Sequence, residues 1–332
     1  MNNTTGTHKL NKKVVITAVL SIGFIAATVI VIHQNPGADP SVELAKKLIS
    51  CLAIFAACAV FVRWYDKFTV LPVELFQNRH LIWKLAKNDF KKRYAGSYLG
   101  AVWAMVQPVV TVAMYYVVFG LIFPNQRESG EVPFVLFLTA GLVPWFYFSE
   151  ALNHGTNALL EYNYLVKKVV FKISILPIIK IIAATFIHAF FVCVLLVVAI
   201  AYGYYPTIYT IQVVYYSFCL FIFVLALCYT TCAVVVFFKD LSQIINIALQ
   251  IGMWATPILW DINAIENKTI VTLLKINPLV YVVNGYRSAI YEKEWFFQDF
   301  FSTMYFWIVT VVLFGVGALI FKRLKEHFAD VL

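Results

Sequence analysis

The sequence predicts an all-α polytopic membrane protein, and three observations carry that prediction. Of the 332 residues, 62% are hydrophobic and 13% charged, with mean hydropathy +0.81, which excludes an ordinary soluble domain. Apolar runs recur along the whole chain, and about 20 residues suffice to cross a hydrocarbon core of ~30 Å. The net charge of +9 sits at the ends of these runs rather than on a solvated patch, so it reads as membrane orientation and not as a nucleic-acid site.

Eight spans are expected, at about 14–33, 48–64, 97–123, 132–152, 174–202, 208–237, 241–260 and 302–321. The first, Val14 to Ile32, follows Lys9, Lys12 and Lys13. Its 19 residues exceed the ~7–15 of a signal-peptide core and no A-x-A site follows, so it reads as a retained span rather than a cleaved leader. The second is the weakest, because Lys46 and Lys47 stand at its outer end; a re-entrant hairpin is the alternative. Residues 1–70 therefore form an N-terminal extension with two predicted transmembrane helices, ahead of a domain over 75–332.

The stretch 79–95 has helical two-sidedness. Ile82, Ala86, Phe90 and Tyr94 share one face with Leu81 and Leu85 beside them, while Lys84, Lys87, Asn88, Lys91 and Lys92 take the other. A basic amphipathic helix of this kind lies flat among lipid headgroups with its lysines toward anionic lipid. The blander alternative is a positive-inside flank. The next 27 residues, Ser97 to Phe123, carry no charge and span the membrane.

Within that span Trp103, Gln107, Thr111 and Tyr115 recur every fourth residue and trace a slowly winding stripe, offset by about 40° per step. The seventh span repeats the device with Ser242, Asn246, Gln250 and Trp254. Polar groups facing lipid are costly, so both stripes should face protein or a cavity. Helix-packing glue and a path for a polyol are both open readings.

Residues 157–172, NALLEYNYLVKKVVFK, mix charge with Tyr162, Tyr164 and Phe171. Such a short inner loop suits docking to a partner, and a solvated positive-inside loop is the alternative. Between Asp261 and Asp299, the run LLKINPLVYVVNGYRSAIY is interrupted by Lys275, Asn277, Pro278 and Arg287, and fits a pair of short re-entrant or interfacial helices better than a span. Lys180 lies eight residues past Lys172, about 12 Å along a helix, and reads as a snorkelling anchor. Glu150 and His154, four apart, read as a local pair; a proton relay would need further titratable groups deeper in.

All six cysteines fall in apolar runs away from any His or carboxylate cluster and read as small buried hydrophobes, with no metal site expected. No G-x-x-x-x-G-K-[ST], H-E-x-x-H or G-x-S-x-G occurs, so if ATP drives this protein another polypeptide binds it, and nothing argues for an enzyme.

The runs NDFKKRYAGSYLGAVWAMVQP, GLVPWFYF, EYNYLVKKVVFKISILP, FKDLSQ with TPILW, INPLVYVVNGYRSAIY and the FAD-containing tail resemble, in order, the ABC-2 permeases that export O-antigen, capsule, teichoic acid and related glycans. The resemblance covers about 75–332. It implies a six-span core that dimerises on two separate ATPase subunits, which hold ATP and Mg, and moves a lipid-linked glycan outward across the plasma membrane. No cofactor is then expected on this chain. By position, Lys84, Lys87, Phe90, Lys91, Lys92 and Tyr94 fall on the interfacial gate helix. Glu161, Tyr162, Asn163, Lys167, Lys168 and Phe171 fall on the ATPase-coupling segment, and Pro278, Tyr281, Tyr286 and Arg287 at the outer gate. The resemblance also places both polar stripes, Trp103, Gln107, Thr111 and Tyr115 with Asn246, Gln250 and Trp254, along the substrate path. Lys172 stands where many relatives have proline, and the first two spans lie outside the six-span core. An ABC-2 permease for a drug or other small hydrophobe is the nearest alternative function, followed by a membrane-embedded enzyme.

With the N-terminus inside, the cytoplasmic segments hold 18 Lys and Arg against 7 outside, which predicts cytoplasmic ends for both termini. Cysteine introduced near Asp39 or Asn125 is expected to react with an impermeant maleimide from outside, and one near Lys167 is not. Labelling at Lys167 in intact cells reverses the orientation.

Overall fold

A computed structural model describes residues 12–32, 40–63, 65, 69–93, 95–96, 98–122, 132–166 and 172–332. Tyr94, Lys167, Lys168 and Phe171 lie outside the described residues, as does the side chain of Gln107. The structure is helical throughout, with no strand among the described residues. Among the described residues, five helices are long and apolar enough to cross a membrane: Lys12–Ile32, Phe134–Thr156, Ile173–Ala201, Ile208–Val235 and Phe300–His327. The chain is a polytopic membrane protein.

Two compact units divide it, 1–70 and 71–332. In the first, α1 (Lys12–Ile32) and α2 (Pro40–Arg63) pair as an antiparallel hairpin, since Lys12 stands over the Tyr65 ring at 5.2 Å while Lys47 reaches the Val31 carbonyl at 3.4 Å. Lys47 also pairs with Glu43 at 2.8 Å. The lysine that looked misplaced thus closes the carbonyl end of α1, where a helix favours positive charge. α2 runs unbroken for 24 residues and has no internal turn of the kind a re-entrant hairpin needs.

The second unit holds α3 (Val70–Gln77), the amphipathic α4 (Arg79–Arg93) and α5 (Trp103–Tyr115), which widens into a π-helical stretch over Tyr116–Ile122. α6 (Phe134–Thr156) follows, then the short α7 (Ala158–Glu161) and α8 (Asn163–Val166), α9 (Leu176–Ala201) and α10 (Gln212–Val235). The chain ends with α11 (Leu241–Ala255), α12 (Lys268–Leu274), α13 (Pro278–Arg287), α14 (Phe300–Leu324) and α15 (Phe328–Val331).

α6 is the central helix. Most of its residues are buried, and α5, α9, α10, α11 and α13 all pack against it. Neutral polar contacts fix its neighbours: Tyr147 bonds Thr185 at 2.9 Å and stacks on His188, and Thr156 bonds Thr231 at 2.8 Å. Cys219, Cys228 and Cys232 are buried along α10. The expected pair of short helices is present as α12 and α13, each capped by an asparagine: Asn267 accepts from the Thr269 amide and Asn277 from the Leu279 amide.

The seventh span is shorter than expected. α11 stops at Ala255 because Thr256 precedes Pro257, and the proline ring drives the preceding residue out of the helical region; Thr256 is extended at φ −94°, ψ 138°. At 15 residues α11 reaches about 22 Å, and Ile258 to Trp260 continue as non-helical backbone.

α10 and α14 approach closely at Gly317. A β-carbon there would come within 2.9 Å of the Ala226 carbonyl oxygen and 3.0 Å of the Thr230 hydroxyl, which backbone packing cannot yield. Gly317→Ala is expected to destabilise the bundle by about 1–3 kcal/mol, read as a lowered unfolding midpoint in detergent. An unchanged midpoint would show that the two helices separate freely.

Candidate functional site

On α4, Ile82, Ala86 and Asp89 are the buried positions, spaced by four and three along one face, and Lys84, Lys87, Lys91 and Lys92 are exposed opposite them. Phe90 is half-buried and meets Phe186 of α9 edge-on at 5.7 Å; Trp83 meets the same ring at 5.3 Å. The two-sided helix is therefore present, with an aspartate at the centre of its buried face.

Asp89 belongs to an ionic cluster. The Lys180 ammonium, only 4% exposed, donates to Asp89 Oδ1 at 2.6 Å and to Glu161 Oε2 at 2.5 Å, and stands 4.7 Å over the Tyr162 ring. The Tyr162 hydroxyl donates to the same Asp89 oxygen at 2.5 Å. Arg93 lies 3.6 Å from Asp89 and hydrogen-bonds Glu150 of α6. His154 stands 3.9 Å from Glu161. One buried cation thus draws together α4, the α7–α8 segment and α9, and Arg93 extends the link to α6.

Lys180 is accordingly not a snorkelling anchor. Its head is turned into protein because two carboxylates and an aromatic face wait there, and a buried ammonium takes such partners in preference to a partial path to water. Nor do Glu150 and His154 pair with each other: Glu150 takes Arg93 and His154 takes Glu161. Burial alone would raise the Glu161 carboxyl, but the nearby His154 imidazole and the Lys180 ammonium, which donates to it, outweigh burial and hold the pKa at about 2. A carboxylate with a depressed folded-state pKa stabilises the fold above its ordinary value of 4.5, and that contribution is lost as pH falls toward about 2. The Tyr162 phenol is pushed up, by burial first and then by its bond to Asp89.

The segment 157–166 is mixed in its facing. Glu161, partly exposed, and the half-buried Tyr162 bond to the cluster, whereas Asn163 and Tyr164 are exposed.

The two polar stripes meet at one end. Trp103 and Thr111 line a cleft of about 440 Å³ together with Pro108, Glu150 and His154. Asn246 lines a shallower one of about 540 Å³ with Asn157, Glu161 and the same His154. Ser242 donates to Asn157 at 2.7 Å. Farther along, the half-buried Tyr115 reaches Met253 Sδ at 3.8 Å, which joins α5 to α11. Gln250 and Trp254 are exposed on the outside of the monomer.

At the other end, Pro278 opens α13 as its first residue, a position suited to its fixed φ. Tyr281 bonds Tyr215 at 3.2 Å and accepts from Thr303 at 3.1 Å. Tyr286 is fully buried, with its hydroxyl between His188 Nε2 at 2.9 Å and Ser217 at 2.6 Å. Arg287 is buried as well; it donates to the Ile258 carbonyl at 3.0 Å and lies over the Phe137 ring at 3.7 Å. These two side chains anchor α13 to the bundle rather than facing outward.

The sequence profile of the ABC-2 type transporter family matches residues 80–291. The chain belongs to the ABC-2 type transporter family. The match begins at α4, so α1 and α2 precede it. The O-antigen export system permease protein RfbA of Myxococcus xanthus is 30% identical over 258 residues, 77% of this chain and 97% of the relative. A protein of the same description from Klebsiella pneumoniae is 25% identical over 75% of this chain and 93% of its own length. The polysialic acid transport protein KpsM of Escherichia coli is 24% identical over 72% and 91%. In this ABC-2 protein, α4, the α7–α8 segment and the ends of α6 and α9 form one electrostatic unit within the matched region.

Lys180→Met leaves two buried or half-buried carboxylates without their cation. It is expected to cost about 3–5 kcal/mol, seen as a lowered unfolding midpoint, and adding Asp89→Asn should recover part of that loss. A single mutant as stable as the parent would mean that Lys180 does not hold the cluster.

Proposed function

We propose that this chain is the membrane-spanning subunit of an ATP-driven exporter that moves a lipid-linked polysaccharide or teichoic-acid-like polymer outward across the plasma membrane. The observation that carries the reading is the 30% identity to an O-antigen export permease across 97% of that protein's length. ATP and Mg are bound by a separate ABC ATPase, two copies of which serve a homodimer of this chain. Both termini lie on the cytoplasmic side.

In this reading α4 rests in the inner headgroup layer and 157–172 is the ATPase contact. Tyr164 and Asn163 offer the partner an exposed polar and aromatic face, while Glu161 and Tyr162 connect that face to Lys180 and Asp89. A displacement of the segment on ATP binding would then be carried to α4 through ionic contacts rather than through loop backbone. The clefts that bring Trp103, Thr111 and Asn246 toward His154 support an inner entrance for the polar part of the substrate, with Gln107, Tyr115, Gln250 and Trp254 continuing the path at a dimer centre. Hydroxyl-bearing cargo suits such mixed stripes: amide and hydroxyl groups bond the sugar, and rings cover its C–H faces.

Deletion of the gene should cause lipid-linked glycan to accumulate on the cytoplasmic side, where mass spectrometry of extracted intermediates reads its sugar composition, and complementation should clear it. Absence of any accumulated intermediate, with unchanged surface glycan, would overturn the export function.

A further inference from the structure

A well-formed cavity lies at the end of the bundle opposite the Lys180 cluster. Lys180 is near the start of α9, whereas Tyr204 just beyond its end meets Tyr291 at 6.4 Å, so roughly 30 Å of helix separates the two sites. The cavity holds about 570 Å³, inside the range of about 300–1,000 Å³ for small-molecule sites. Its walls come from α13, the π-helical turn Ser288–Glu292 and the segment leading into α14.

Two kinds of group line it. Tyr281, Tyr291, Trp295 and Phe296 supply aromatic surface. Four carboxylates, Asp261, Glu292, Glu294 and Asp299, stand against two cations, Lys275 and Arg287, so the lining carries a net negative charge. Asp299 also caps α14, accepting from the Ser302 amide. Glu292 accepts from Ser288 at 2.6 Å; burial, with Glu294 and Asp261 nearby, raises its pKa. Among the described residues no three His, Cys, Asp or Glu side chains converge closely enough to hold a metal ion. Dispersed carboxylates beside aromatic rings and the Asn284 amide instead match a polyol, whose hydroxyls donate to separated acceptors and whose C–H faces pack on rings.

We propose that this cavity binds one sugar residue of the exported glycan, neutral or bearing a free amino group, and rejects sugars carrying carboxylate or phosphate. The inference rests on the export function above and narrows its substrate class. The negative lining attracts an ammonium and repels an anion, so discrimination comes from an unfavourable charge pairing as much as from a favourable one. The aromatic surface serves all three kinds of sugar alike and adds affinity without selecting among them.

The test uses the intact transporter, permease with its ATPase, in nanodiscs, titrated by ligand-observed NMR with the methyl glycosides of glucosamine, N-acetylglucosamine and N-acetylneuraminic acid. The first two should bind and the third should bind at least about tenfold more weakly. Glu294→Gln, an isosteric change at an exposed position, should weaken the amino sugar about three- to fivefold and leave the neutral one within about twofold. Trp295→Ala should weaken both. Equal binding of the sialoside, saturation by none of the probes, or affinities unmoved in both variants would overturn the proposal. Accumulation of lipid-linked glycan in the deletion strain is scored in parallel: accumulation with no sugar binding overturns the cavity assignment alone, and no accumulation overturns the export function with it.

Discussion

One end of the bundle depends on the burial of a single ammonium. Taking an isolated cation out of water costs several kcal/mol, and attraction to carboxylates in a low-dielectric site offsets that only if every partner is held in place. Lys180 has three such partners, Asp89, Glu161 and the ring of Tyr162, and each belongs to an element that also packs apolar side chains on the core: Ile82 and Ala86 on α4, Ala158 and Leu159 on α7. α4 is a surface helix with a strongly basic outer face, and α7 and α8 are single turns too short to be stable alone. The ion cluster converts these weak elements into a docked assembly on α6 and α9.

The opposite end is held by different physics. There the contacts are neutral: Tyr286 between His188 and Ser217, Tyr281 between Tyr215 and Thr303, and a ladder of packed rings around Phe306. Arg287 is the exception: one guanidinium nitrogen donates to the Ile258 carbonyl, just beyond the end of α11, and the group lies over the face of Phe137. Neutral hydrogen bonds in an apolar setting cost little to bury and fix orientation. Such contacts let most of α13 pack into the bundle without burying charge, Arg287 apart.

How far these features could be read from sequence follows from their range along the chain. Hydropathy and spacing are local, so the five long spans, the two-sided helix at 79–95 and the pair of short helices before α14 were all legible. The early stop of α11 was written locally too, in Thr256-Pro257, but a hydropathy run does not register a backbone restriction. The ion cluster was not legible, because its members are far apart: Lys180 and Asp89 are separated by 91 residues, and Tyr162 and Asp89 by 73. Depth along a helix made Lys180 resemble a snorkelling residue, and an aspartate amid lysines reads as solvent-facing. The one available signal was that Asp89 continues the spacing of Ile82 and Ala86, which places it on the apolar face.

The segment between α6 and α9 shows how one short loop can serve two surfaces. Glu161 ends α7, Tyr162 makes the turn, and Asn163 begins α8, so the segment changes from cluster-bonded to exposed residues at that turn. Inward residues are committed to Lys180 and Asp89, and outward ones are left to solvent or a partner. A tyrosine at the turn suits this division, since its ring packs under the ammonium while its hydroxyl bonds the carboxylate that the ammonium also holds. Moving the outward face without moving the inward one would require breaking a buried charge-assisted bond. The lower-energy response is for α7, α8 and α4 to move together as one unit held by the Lys180 cluster.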